Sequence, residues 1–146
     1  MLETQGFFNI DSCRLEYQLL IPPQSHDRTL VFLHEGLGCL TMWKNFPRQV
    51  AEMTGCKALV YSRAGYGGSD SCVLPRPITF MHDEALKILP QVLDAAATRD
   101  VVLVGHSDGA SIALINAGGT DDRRVRGLVL MAPHVFVEDL TVNSIR

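Results

Sequence analysis

One serine in this sequence stands in a setting that favours nucleophilic chemistry. In the stretch VVLVGHSDGASIAL (101–114), Ser107 lies between Gly105 and Gly109, after four apolar residues and before a helical pattern of small residues. A sharp strand-to-helix turn holds a serine hydroxyl away from its own backbone, and glycines two residues to either side let strand and helix approach. The pattern predicts an exposed nucleophile. The alternative interpretation is a serine that only caps the helix.

A serine hydroxyl is a weak nucleophile unless a base takes its proton and an acid orients that base. The only histidine after Ser107 is His134. Asp121 and Asp122 come before the apolar run 126–131 and His134 comes after it. About seven strand residues at roughly 3.3 Å each put these carboxylates and the histidine on the order of 20 Å apart. The sequence therefore predicts no triad from these residues.

Other side chains near Ser107 are weaker candidates. Glu138 and Asp139 follow the same strand and are the candidate acids. His134 fits the start of a segment leading into a lid better than it fits a base. His106 is expected to point away from Ser107, because successive strand residues face opposite sides of the sheet, and to serve in packing or support. We expect the base, and with it the acid, to lie outside this chain.

Composition narrows the classes of function. The chain has 146 residues, a formal net charge of −3 and 47% hydrophobic residues, as expected for one globular domain over 1–146. Its basic residues are scattered, which speaks against nucleic acid binding. No apolar run is long enough for a membrane span and the N-terminus lacks a signal peptide pattern, so we expect a cytoplasmic protein. The four cysteines lie far apart, which indicates reduced thiols and no metal site.

The remaining patterns describe elements that would position the serine. Two short apolar runs at 6–10 and 13–20 predict a hairpin. Buried strands that pass into glycine-rich or helical sequence predict a parallel sheet with helices on both faces. These strands lie in TLVFLHEGLG (29–38), KALVYSRAGYGGSD (57–70), the opening stretch and RGLVLMAPH (126–134). A helical stripe covers 78–97, with Pro90 as an expected kink.

Glycine-rich loops follow three of these strands, and parallel sheets form their sites at that edge. A dinucleotide fingerprint would need a third glycine at the position of Asp70, and no Gly-Lys-Ser/Thr triplet for a phosphate loop occurs. We therefore expect no cofactor.

With these motifs, the chain resembles the α/β-hydrolase family from GFFNI to MAPH. LHEGLG looks like the family's oxyanion loop, which assigns one oxyanion donor to the N–H of Gly36 and the other to that of Asp108. Glu35 departs from the family pattern, because many members have glycine there and a carboxylate repels an oxyanion. Arg63 and Tyr66 match the family's loop after its fourth strand, where the resemblance implies a role in shaping the turn.

The resemblance implies a mostly parallel sheet with flanking helices and an N-terminal antiparallel hairpin, ending after the sixth strand. It also implies a serine hydrolase that transfers the acyl group of a small ester-like substrate. The segment VFVEDLTVNSIR (135–146) carries no terminal signal, which favours an N-terminal portion of a longer protein. The alternatives are an inactive half-domain that associates through its open sheet edge and a cofactor-free haloperoxidase. A dehalogenase is disfavoured because its nucleophile would be an aspartate.

Overall fold

A six-stranded sheet forms the centre of the computed structural model, which describes residues 1–145. The strands are β1 (Leu2–Ile10), β2 (Cys13–Ile21), β3 (Arg28–Leu33), β4 (Lys57–Tyr61), β5 (Asp100–His106) and β6 (Val125–Met131). They lie in the order β1-β2-β4-β3-β5-β6. The last four strands of the chain pair in parallel, whereas β2 pairs antiparallel with both β1 and β4. The predicted fold class is confirmed.

The hairpin of β1 and β2 turns through the two residues that the sequence indicated. Asp11 and Ser12 have φ values of 48° and 64°, and Ile10 pairs with Cys13. Two-residue turns of this handedness match the right-handed twist of the strands they join.

Helices cover both faces of the sheet. They are α1 (Phe46–Thr54), α2 (Phe80–Asp83), α3 (Leu89–Ala95), α4 (Asp108–Gly119) and α5 (Asp139–Ile145). The helical stripe predicted over 78–97 is divided, because a π-helical turn at Glu84–Ile88 separates α2 from α3. Pro90 lies within this continuous run of helical residues, where it has no N–H to donate to the preceding turn, and the side-chain amide of Asn116 donates to the carbonyl oxygen of Ala85 at 2.8 Å. The expected kink is thus a change of helix type.

Alternation along the strands divides the core into two layers. Val31 and Leu33 face the layer that α3 and α4 cover, whereas Leu30 and Phe32 face the layer that contains Ala51 of α1. Strands buried on both faces are the pattern of parallel sheets. This burial fixes the carboxyl ends of β3, β4 and β5 beside one another.

The last strand of the chain, β6, forms one edge of the sheet within residues 1–145. A short helix, α5, follows this strand and begins at Asp139. Residues 139–144 of that helix are exposed, however, so α5 leaves the strand's face uncovered. Each helix among the described residues is too short or too polar to span a bilayer.

Candidate active site

Ser107 lies at the corner between β5 and α4 in a strained backbone conformation. Its φ is 53° and its ψ is −116°, a region that non-glycine residues rarely adopt. The N–H of Ser107 donates to the carbonyl oxygen of Met131 at 2.8 Å, which ties the corner to the end of β6. Although Ser107 occupies the N-cap position of α4, its side chain makes no capping hydrogen bond. The hydroxyl is therefore free for another partner.

That partner is His134. The Nε2 atom of His134 lies 3.0 Å from the Ser107 hydroxyl and 3.2 Å from Oδ1 of Asp108. Ser111, one helical turn after Ser107, accepts the backbone N–H of His134 at 2.9 Å. The tautomer of His134 sets the direction of its bond with Ser107: with the proton on Nδ1, Nε2 accepts the serine hydroxyl, and with the proton on Nε2 it donates to the hydroxyl oxygen.

Sequence reasoning missed the contact between Ser107 and His134. The separation of His134 from Asp121 stands, because the aspartate precedes β6 and the histidine follows it. The omission was the strand register: His106 pairs with Met131, so the residues after β6 emerge beside those after β5. An assumption that β5 and β6 are parallel neighbours would have indicated it.

Gly36 and Asp108 lie against each other at the predicted oxyanion position. Asp108 is the first residue of α4, so its N–H has no partner inside the helix. The N–H of Gly36 donates to no backbone oxygen among residues 1–145. A Cβ added to Gly36 would meet Oδ2 of Asp108 at 2.7 Å. The carboxylate thus crowds the predicted anion site.

Glu35 turns its carboxylate to the side of this loop. Its Oε2 atom lies 3.7 Å from Nδ1 of His106, and its carboxylate lies over Gly38. The side chain of His106 is 46% exposed, so of the two expected roles, packing or support, packing does not apply. His106 is the last residue of β5, so its imidazole has no layer of side chains to pack against. It faces Glu35 at the carboxyl end of the strand.

Beneath the loop, His34 and Arg63 form a buried clamp, the term we use for these two residues. Arg63 donates from Nη1 to the carbonyl oxygen of His34 at 2.6 Å and from Nη2 to that of Glu35 at 3.0 Å. Its backbone N–H donates to Nε2 of His34 at 3.0 Å, and Nδ1 of His34 lies 2.7 Å from the Glu35 carbonyl oxygen. These contacts assign the His34 proton to Nδ1. The loop is fixed by four hydrogen bonds.

Burial dominates the electrostatics of the clamp. Desolvation, assisted by the charge of Arg63, lowers the pKa of His34 from 6.5 to about 3. Desolvation also lowers the pKa of Arg63, and the charges of Glu84 and Asp108 partly offset this effect. Burial raises the pKa of Glu84. The imidazole of His34 is therefore neutral at physiological pH, as the hydrogen-bond pattern requires.

Neither candidate acid makes a hydrogen bond or ion pair with His134 among residues 1–145, although Glu138 and His134 line the same surface pocket. Glu138 accepts the hydroxyl of Thr141 at 3.1 Å, and Asp139 begins the exposed helix α5. Among the described residues, His134 pairs instead with Asp108. Both carboxylate residues are exposed, Glu138 just before α5 and Asp139 as its first residue.

The site offers little to a metal ion. Histidine, cysteine and carboxylate side chains form no group of three or more that could hold one within residues 1–145. The functional groups gathered at the sheet edge are thus a serine hydroxyl, imidazoles, carboxylates and backbone N–H groups. These groups suit proton and acyl transfer.

An α/β sheet with a strained serine at a strand-to-helix corner defines the class of this molecule. The chain belongs to the alpha/beta hydrolase family, whose model matches residues 30–145. No curated protein sequence matches it.

Several solved structures share its fold. A proline iminopeptidase from Mycobacterium smegmatis has a TM-score of 0.77 at 17% identity, over 89% of this chain and 44% of that one. A predicted CIB-like hydrolase from Thermoplasma acidophilum also has a TM-score of 0.77 at 17% identity, over 91% and 64% of the two chains. An esterase from Exiguobacterium antarcticum has a TM-score of 0.74 at 20% identity, over 90% and 46%. The chain thus spans 44% to 64% of the length of these structures.

Proposed function

We propose that this chain carries the nucleophile and the oxyanion site of a serine hydrolase that acts by acyl transfer on a small ester. The observation that carries the proposal is the Ser107 hydroxyl, which is held at a strained corner, makes no capping bond and contacts an imidazole at 3.0 Å. A serine serving only as a cap would direct its hydroxyl to the backbone of the first helical turn.

The proposed reaction begins when Oγ of Ser107 attacks the carbonyl carbon of the ester. The negative charge on the carbonyl oxygen is stabilised by the N–H groups of Gly36 and Asp108. The Ser107 proton passes to a base and then to the departing alkoxide as the C–O bond breaks. Water reverses these steps to release the acid. The predicted base, a histidine outside this chain, and the candidate acids Glu138 and Asp139 stay predictions.

A fluorophosphonate probe tests the nucleophile directly. Labelling of the folded chain, measured by intact-mass and peptide mass spectrometry, is expected at Ser107, because its strained corner holds the hydroxyl 3.0 Å from an imidazole. Ser107→Ala is expected to abolish labelling. Ser71→Ala, at an exposed loop position, serves as the matched control and keeps it. A folded chain that is not labelled, or a Ser107→Ala variant that is, would overturn the proposal.

The role of His134 has its own test. If Nε2 donates to Ser107, then His134→Gln, whose side-chain amide can still donate, is expected to change the labelling rate by less than about tenfold. A loss of 100-fold or more would instead identify His134 as the base, since general bases contribute roughly 10²- to 10⁴-fold. The measurement is the second-order rate constant of labelling.

A further inference from the structure

A cavity of about 290 Å³ lies between the segment 78–82 and the outer side of α4. Apolar side chains form most of its wall, and three polar residues complete it. The apolar residues are Ile78, Phe80, Met81, Leu114 and Ile115, and the polar ones are His82, Ser111 and His134.

The cavity begins beside the reacting hydroxyl. His134 lines it, and Nε2 of the same residue is 3.0 Å from Oγ of Ser107. Ser111 and Ile115 follow Ser107 at intervals of four residues along α4, so all three lie on one side of the helix. His134 is thus the residue that the reacting hydroxyl and the cavity share.

The charged groups near Ser107 lie in another direction. The Asp108 carboxylate packs against Gly36, and Glu35 faces His106 on the same loop. The cavity wall itself contains no lysine, arginine or carboxylate, and its ionisable residues are His82 and His134. Apolar walls of this kind favour an uncharged hydrocarbon group, since each buried methylene contributes to binding.

We propose that this cavity binds the acyl group of the ester that acylates Ser107, and that this group is an uncharged aliphatic chain of short to medium length. The inference rests on the proposed function. The volume sets the size, because 290 Å³ lies near the lower end of the roughly 300–1,000 Å³ of small-molecule sites. Leu114 is the residue that determines specificity, since it lines the cavity and is 36% exposed, so a polar replacement there is compatible with the fold.

A series of alkyl fluorophosphonates tests the inference, with methyl, butyl, hexyl and dodecyl groups on phosphorus. The bond from Oγ to phosphorus forms, fluoride leaves and the hydroxyl proton is released. The second-order rate of Ser107 labelling is expected to rise about three- to fourfold per methylene, as burial of one methylene predicts, until the cavity is full. The rate is then expected to level off before the dodecyl group.

Three variants in helices distinguish binding in this cavity from non-specific binding of alkyl chains to the surface. Leu114→Lys is expected to lower the hexyl-to-methyl rate ratio at least tenfold, because it places a charge in the wall. Met53→Lys, at an 87% exposed position in α1, is expected to leave the ratio unchanged. Leu114→Ala, which widens the cavity without adding charge, is expected to move the plateau toward longer chains.

The outcomes are distinct. Labelling of Ser107 at rates independent of chain length, or an unchanged ratio in both Leu114 variants, overturns the acyl cavity and leaves the nucleophile standing. Absence of labelling by every member of the series overturns the proposed function itself. If Leu114→Lys and Met53→Lys lowered the hexyl-to-methyl rate ratio equally, the effect would come from the added charge at a distance. That result would overturn the proposal that this cavity binds the acyl group.

Discussion

Gly109→Ala is expected to destabilise the fold by about 3 kcal/mol or more, the upper range for overpacked positions. A Cβ at this position would lie 2.0 Å from the carbonyl oxygen of Leu33 and 2.8 Å from that of His34. Both contacts are with backbone, so no side chain can rotate away and the start of α4 must move from the end of β3. Ser107, two residues earlier, would move with it.

Gly118→Ala in the same helix provides the matched control. A Cβ there meets no atom within 4 Å, and alanine is the better helix former, so this variant is expected to gain about 0.5 kcal/mol. Urea unfolding followed by circular dichroism measures both changes. Equal midpoints for Gly109→Ala and the parent chain would contradict the close packing at the corner.

The stability of the chain is expected to fall as the pH is lowered from about 6.5 toward 3, because of His34. The unfolded chain takes up a proton on this imidazole near pH 6.5, whereas burial holds the pKa in the folded state at about 3. Protons therefore favour the unfolded state throughout this window and not above it. Between pH 6 and pH 4 the contribution of His34 to the free energy of unfolding is expected to decrease by roughly 2 to 3 kcal/mol.

Other groups titrate in acid, so the test compares slopes. Carboxylates with a lowered pKa, such as Asp70 and Asp100, add a loss of the same sign at the acid end, and Glu84, with a raised pKa, opposes it. His34→Asn is expected to be less stable at pH 7 but to have a shallower decline between pH 6 and pH 4. His82→Gln, at an exposed position, keeps the parent slope. Parallel curves for His34→Asn and the parent would contradict the assignment.

Local patterns in the sequence were sufficient for most of the fold. Two polar residues between apolar runs were enough to predict the turn at Asp11 and Ser12. Continuous apolar runs were enough to predict the parallel strands. Pro90 indicated a disturbance of the helix after residue 78 but not its form, since the π-helical turn at Glu84–Ile88 depends on tertiary packing and leaves no clear signal in the spacing of apolar residues.

The site was foreseen where one segment determines it and missed where two segments meet. The corner at Ser107 is local, so its glycines and its neighbouring strand predicted it. The contact with His134 depends on the order of strands in the sheet, which no single segment encodes. The contact between Glu35 and His106 was missed for the same reason, because Glu35 follows β3 and His106 ends β5.

The buried clamp has a consequence for how this site can vary. Because Arg63 holds the backbone of residues 34 and 35 from the loop after β4, the two loops behave as one mechanical unit. A loop graft that replaced HEGLG alone would have to preserve the positions of both carbonyl oxygens, although neither belongs to a side chain. The shape of the backbone therefore constrains which sequences these two loops can carry. Replacing both loops together should preserve the fold more often than replacing either one alone.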